Sequence, residues 1–140
     1  MDEPEALGRL AGSPVARLAT VGPDGRPHVV PCVFAMAGRT IYWAVDQKPK
    51  RSNELKRLAN IRANPNVELV ADHYEGDWSR LWWVRATGTA RIVEGQDERA
   101  RALQLLAQKY GQYREEPPEG AVVAIDVSRV SSWEGTGRSA

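Results

Sequence analysis

One cysteine, Cys32, and two histidines, His28 and His73, are the only thiol and imidazole groups in the chain. A lone cysteine excludes an internal disulfide and any multi-cysteine metal centre, suits a reducing compartment, and reads as a small buried residue. Two histidines so far apart in sequence do not make a histidine-rich metal site, so no metal is expected. There is no Gly-x-Ser-x-Gly elbow, no phosphate loop of the nucleotide-hydrolase kind, and no strand-linked Gly-x-Gly-x-x-Gly. Gly135-Thr136-Gly137 stands isolated in the tail, and no carboxylate pair falls where acid–base partners are needed. No side chain is therefore assigned as catalytic, and redox or group-transfer chemistry would fall to a bound cofactor. The longest apolar runs are strand-sized and the N-terminal segment MDEPEALGRL is acidic and amphipathic. The expectation is neither a secretory signal nor a membrane span, and a cytoplasmic location.

What is present is the profile of a globular protein. At 140 residues and 15.5 kDa the chain has the size of one domain, read as residues 1–140, with a core large enough to fold without disulfide or metal. Lysine plus arginine number 19 against 18 aspartates plus glutamates, so bulk charge indicates no nucleic-acid partner.

Apolar periodicity places a short helix over Pro4 to Ala11, stopped by Gly12-Ser13-Pro14. Val15 to Val21 reads as a strand and Gly22-Pro23-Asp24-Gly25 as a turn. A second strand, His28 to Ala35, carries Pro31, which cannot donate to a ladder and so marks an edge, a bulge or a ligand-facing turn. Ala37-Gly38-Arg39 connects to a strand over Thr40 to Val45, and the three strands are expected to form an antiparallel meander. Ser52 caps a helix that Asn64-Pro65 ends. Strands follow over Val67 to Asp72 and about Leu81 to Val93, the latter alternating Val84, Ala86, Gly88, Ala90 and Ile92 with Trp83, Arg85, Thr87, Thr89 and Arg91. Asp97 and Glu98 open a helix that Gly111 stops, Pro117-Pro118 marks a stiff loop, and Ala121 to Val130 is the last strand. Six mostly antiparallel strands with flanking helices favour a small barrel, because closure removes exposed edges.

Two local anomalies point to binding. From Lys48 to Arg62 six cations (Lys48, Lys50, Arg51, Lys56, Arg57, Arg62) face one anion, Glu54. A loop with Lys48, Lys50 and Arg51 entering a Ser52-capped helix can hold a phosphate, since free N–H groups and the positive helix end favour an anion. The alternative is a solvated basic face. The adjacent strand end, Tyr42-Trp43-Ala44-Val45, can wall a planar ring. Five tryptophans form the second anomaly, three of them at 78, 82 and 83. Adjacent Trp82 and Trp83 face opposite sides of a strand, so one leaves the core for a subunit interface, a ring ligand or solvent.

In their order along the chain these pieces resemble the pyridoxamine-phosphate-oxidase-like split β-barrels, and among them the small F420-dependent flavin/deazaflavin oxidoreductases. The resemblance rests on Ala16-Arg17-Leu18-Ala19-Thr20 with Asp24-Gly25-Arg26-Pro27, the strand through Pro31 and Val33, the Lys48-to-Leu55 segment, Asn64-Pro65-Asn66-Val67, and Ala86-Thr87-Gly88-Thr89-Ala90. It implies a mainly β (α+β) fold, a six-stranded antiparallel split β-barrel of the FMN-binding type with flanking helices, and a homodimer with cofactor at the interface. It further implies coenzyme F420, with FMN as the alternative, and hydride delivery to an unsaturated or quinone-like small-molecule acceptor. A non-catalytic binder of a cofactor or tetrapyrrole is the alternative function. By the same resemblance Lys50 meets the cofactor phosphate with Lys48, Arg51 and Ser52 helping. Pro31, Val33, Trp43, Ala44 and Val45 flank the ring, and Trp78 and Trp133 complete the pocket. The arginine that the oxidase branch carries in its second strand has no counterpart between His28 and Phe34.

Overall fold

The computed structural model describes residues 1–45 and 52–136, with backbone alone for 52–55. Among the described residues four helices, α1 (Glu3–Ala11), α2 (Ser52–Ala63), α3 (Gln96–Lys109) and α4 (Gly111–Glu115), accompany seven strands. These are β1 (Ala16–Val21), β2 (Pro27–Cys32), β3 (Ala35–Ala37), β4 (Thr40–Ala44), β5 (Asn66–His73), β6 (Trp82–Ile92) and β7 (Val122–Glu134). A 3-10 turn, Trp78–Arg80, precedes β6. Among the described residues no helix is long and apolar enough to cross a membrane.

All pairings are antiparallel, in the order β2-β1-β5-β6-β7-β4-β3. The two ends of that order, β2 and β3, are joined by Val33 and Phe34 alone. At about 3.5 Å per residue the path from Cys32 to Ala35 reaches no farther than about 11 Å. The sheet must therefore curl until its edges lie side by side, and a covalent link crosses the gap where no ladder does. This is the expected antiparallel split barrel with flanking helices.

Three local expectations are corrected. The strand read as His28 to Ala35 is two strands, which raises the count from six to seven. β2 is paired only as far as Ala16↔Cys32, where β1 begins, so beyond Cys32 its partner has run out. The three-strand meander is accordingly two hairpins at opposite sheet edges, β1–β2 and β3–β4, with β4 paired to β7. The last strand runs past Val130 to Glu134, because β6 begins early enough to pair Trp83 with Trp133 and Trp82 with Glu134.

A fourth correction concerns Gly111, which opens α4 instead of ending α3. The break falls one residue earlier, at Tyr110, whose backbone is extended (φ −121°, ψ 119°). Its hydroxyl explains why. Oη accepts from the Phe34 N–H at 3.1 Å and lies 3.0 Å from the Phe34 carbonyl and 2.9 Å from the Pro14 carbonyl. One side chain thus serves the backbone groups that the β2–β3 break leaves without a ladder. Tyr110→Phe strands the buried Phe34 N–H and is expected to cost about 1–3 kcal/mol, read as a Tm drop on the order of 5–10 °C. An unchanged Tm would show that the break is satisfied some other way.

The barrel interior follows the alternation read in the sequence, with Val84, Ala86 and Ala90 of β6 buried alongside Leu18, Leu69, Trp43, Ile125 and Phe34. Helix α2 is fastened to β1 by one buried polar pair, Asn60 Nδ2 donating to Thr20 Oγ1 at 3.1 Å. Helix α3 is held by Arg91, which grips Glu98 through two bonds of 2.8 and 2.9 Å and Asp126 at 2.8 Å, while the Tyr42 hydroxyl donates to Glu98 at 2.7 Å. The Arg91 bonds first and the Tyr42 bond second pull the Glu98 carboxyl from its ordinary 4.5 to about 2. A folded value below the unfolded one gives stability that is present above pH 4.5 and lost as pH falls toward 2. Glu98→Gln should therefore melt below the wild type at neutral pH, with the gap closing between pH 4.5 and 2. A gap that persists unchanged at the acid end would contradict this linkage.

Candidate functional site

The barrel's split opens as a cleft of about 210 Å³. One side is the chain leaving β2, Pro31, Cys32 and Val33, and the other is the end of β4, Trp43 and Ala44. Val15, Arg57 of α2 and Tyr113 of α4 complete the lining. Pro31 has no N–H to give a neighbouring strand, so β2 ends as an edge that faces the opening. Trp43 is 1% exposed, and the Arg57 guanidinium lies 4.7 Å over its ring. That stacking fixes the indole plane from behind.

The cleft floor is apolar enough to govern its own ionisation. Burial pushes the Cys32 thiol up to about 12, even though Arg57 and Lys109 act to lower it. Cys32 is therefore a neutral thiol, donating weakly to the Val33 carbonyl at 3.4 Å, and not a nucleophile. Beside it the side chain of Lys109 lies over the Phe34 ring at 3.9 Å, and burial brings its ammonium down to about 8. The Trp43 indole N–H and the Lys109 Nζ are both buried with no acceptor among the described residues. Such donors are uncommon in folded proteins and call for a partner.

Of the residues expected at the cofactor, the structure brings Pro31, Val33, Trp43 and Ala44 together. Val45 continues β4 behind them, 3% exposed, with its N–H bound to the Ala121 carbonyl at 2.8 Å. Ser52 begins α2, and Lys48, Lys50 and Arg51 lie outside the described residues. Trp78 and Trp133, 69% and 47% exposed, do not line this cleft within one chain. Trp82 and Trp83 are each half-buried, covered by Arg9 at 5.4 Å and Arg85 at 5.2 Å. Sequence reading missed Arg57 and Tyr113 as cleft residues. The signal for the tyrosine was its i, i+3 spacing from Tyr110, hidden by the glycine between them.

A second cleft, about 360 Å³, is lined by Arg9, His73, Glu75, Arg80, Leu81, Trp82 and Glu134. Its charges satisfy one another: Glu75 takes His73 at 2.5 Å and Arg80 at 3.2 Å, and Arg9 reaches Glu134 at 3.5 Å. That internal pairing distinguishes it from the split, where the Trp43 indole N–H has no acceptor among the described residues. Among the described residues no three His, Cys, Asp or Glu side chains converge as a metal site.

Comparison with solved structures agrees with the fold. A conserved hypothetical protein from Mycobacterium tuberculosis superposes with a TM-score of 0.79 at 24% identity, covering 96% of this chain and 85% of its own. An FAD-binding protein from Mesorhizobium loti gives 0.71 at 22% identity over 94% of both chains. HutZ, a haem storage protein from Vibrio cholerae, gives 0.69 at 16% identity over 94% of this chain and 93% of its own. No curated protein sequence matches. Residues 3–134 match the family model described as pyridoxamine 5'-phosphate oxidase. That match spans the barrel from α1 to the end of β7, and the chain belongs to the pyridoxamine 5'-phosphate oxidase family.

Proposed function

We propose that this chain is an oxidoreductase that binds coenzyme F420, or alternatively FMN, at the barrel split and reduces an unsaturated or quinone-like small molecule. The observation that carries the reading is the cleft itself: a slot between the Pro31–Val33 backbone and the Trp43–Ala44 wall, with the Trp43 indole N–H buried there and without an acceptor among the described residues. A bound flavin or deazaflavin would supply the two-electron chemistry. The chain's own residues bind and orient. Trp43 and Ala44 offer a flat face, Pro31 and Val33 form the facing wall, and the Trp43 N–H supplies a hydrogen bond to an acceptor atom. The basic segment Lys48, Lys50 and Arg51 supplies charge for a phosphate, with Lys50 as its principal contact. The donor set suits a ring ligand better than haem iron, since neither histidine lines the cleft and Cys32 holds its proton. The proposal includes a homodimer. Val29, Tyr74, Trp78 and Trp133 stand exposed on one chain, and β2 presents its outer edge. Sedimentation as a monomer at micromolar concentration would remove that part.

Fluorescence titration with F420 and with FMN, at low salt so that a charge-driven site is not screened, tests the reading. Binding of F420 in the micromolar range with weaker FMN binding supports the deazaflavin assignment, and the reverse order moves the chain to the FMN branch. Failure to bind either, with haem bound instead, would replace the oxidoreductase with a tetrapyrrole binder.

A further inference from the structure

Lys109 is the last residue of α3, where a cation ordinarily reaches back to the unpaired carbonyls of the helix end. Here that work is done by others. The Arg114 guanidinium donates to the Ala107 and Gln108 carbonyls at 2.8 and 3.3 Å, and the Tyr110 N–H takes the Leu106 carbonyl at 2.9 Å. Lys109 instead turns inward, its Nζ 3.9 Å from the centre of the Phe34 ring and 5.4 Å from that of Tyr110. Among the described residues it has no ion-pair partner, and its Nζ has no hydrogen-bond acceptor. Three donors are left unused on a buried ammonium, at a free-energy cost that two aromatic faces offset only in part.

We propose that Lys109 is a ligand-contacting residue at the inner end of the cleft, where its Nζ pairs with a negative charge carried by the ring cofactor. The inference deepens the flavin-type reading above and rests on it for the identity of the ligand. Three placements support it. Phe34 occupies the split itself, between β2 and β3. Cys32 lines the cleft and lies within electrostatic reach of Lys109. Tyr110, the second ring beside Nζ, stacks edge-on against Tyr113 of the cleft wall at 6.0 Å. Burial is the largest cause of the lowered basicity of Lys109. The negative charge has two possible sources in one ligand, the phosphate or the electron-rich edge of the reduced ring.

The test is Lys109→Met, which keeps the packed stem and removes the charge. Affinities for F420 and FMN are measured on wild type and variant by fluorescence titration, and the Tm of each ligand-free protein is recorded. The expected result is at least a tenfold loss of affinity with a Tm that is unchanged or raised, since an unpaired buried cation has been removed. Comparing FMN with riboflavin, and oxidised with dithionite-reduced ligand, identifies the source: loss confined to FMN marks the phosphate, and loss confined to the reduced forms marks the ring. Equal affinities in wild type and variant overturn the inference and leave the flavin reading standing. If wild type binds neither cofactor, the flavin reading falls and inorganic phosphate decides for Lys109 alone. A phosphate-induced rise in Tm that disappears in Lys109→Met upholds an anion site, and no rise in wild type overturns it.

Discussion

Gly88→Val should remove a large share of the protein's folding stability at 25 °C. A Cβ at Gly88 would stand 2.5 Å from the Asp126 carbonyl oxygen and 2.9 Å from Ile125 Cγ2, and the first of these is backbone of the paired strand. The position is also where the β6–β7 register slips: Thr87 pairs with Arg129 and Gly88 with Val127, so Ser128 is the extra residue of a bulge. Ser128 Oγ donates to the Thr87 carbonyl at 3.1 Å and pins the distortion in place. Relief of the clash therefore means separating the longest pairing in the barrel. We expect a loss of about 4 kcal/mol or more, at the exceptional end for a point substitution, from a chain whose total stability is about 5–15 kcal/mol. Urea denaturation of Gly88→Ala, the milder version, should already show a large drop in midpoint. Gly8→Ala is the control, because a Cβ there meets nothing within 4 Å inside α1. It should gain about 0.5–1 kcal/mol. A Gly88→Ala protein as stable as wild type would mean that β6 and β7 are not held this closely.

Trp43→Ala is the second large effect, and it acts on fold and cleft together. The indole is almost wholly buried, so truncation removes its packing and leaves a cavity, at a cost of about 3–5 kcal/mol. Arg57 loses the ring on which it lies and the slot loses one wall. The expected outcome is a protein with a sharply lower denaturation midpoint that no longer binds the ring ligand where it remains folded. Trp43→Phe separates the two roles. It keeps an aromatic face but removes the indole N–H, so stability should fall far less while ligand affinity still declines. Full affinity in Trp43→Phe would show that the N–H serves no ligand.

How far the sequence spoke for itself differs between fold and site. Turns were legible because their chemistry is local: Gly25 and Gly38 adopt φ of 81° and 60°, and both were read as turn residues from their neighbours alone. The β6 alternation was legible for the same reason. The break after Cys32 was not, because nothing in Val33-Phe34 differs in polarity from a strand. It exists because β1 has ended, and that is a fact about another segment. The α3 end was misplaced because Gly111 is the usual stopping signal, whereas the force that breaks the helix is a hydroxyl bond from Tyr110 to a residue 76 positions earlier. At the site, Pro31 and Trp43 could be singled out by residue type. Lys109 could not, since on sequence it is one more cation at a helix C-terminus, and only the placement of Arg114 shows that the capping role is already taken.

The pairing of β4 has a consequence for synthesis. Its partners are β3, the other half of a small hairpin, and β7, the last strand of the chain. While a ribosome is still reading the codons for α2 through α4, the β3–β4 hairpin has no sheet to join, and its inward residues Ile41 and Trp43 face solvent or a chaperone. At about 5–20 residues per second that wait lasts on the order of ten seconds. The β1–β2 hairpin is released much sooner, when β5 emerges. The β4–β7 pairing is therefore the last to form, and the candidate cleft, walled by Trp43 and Ala44 of β4, takes shape only once β7 has been made.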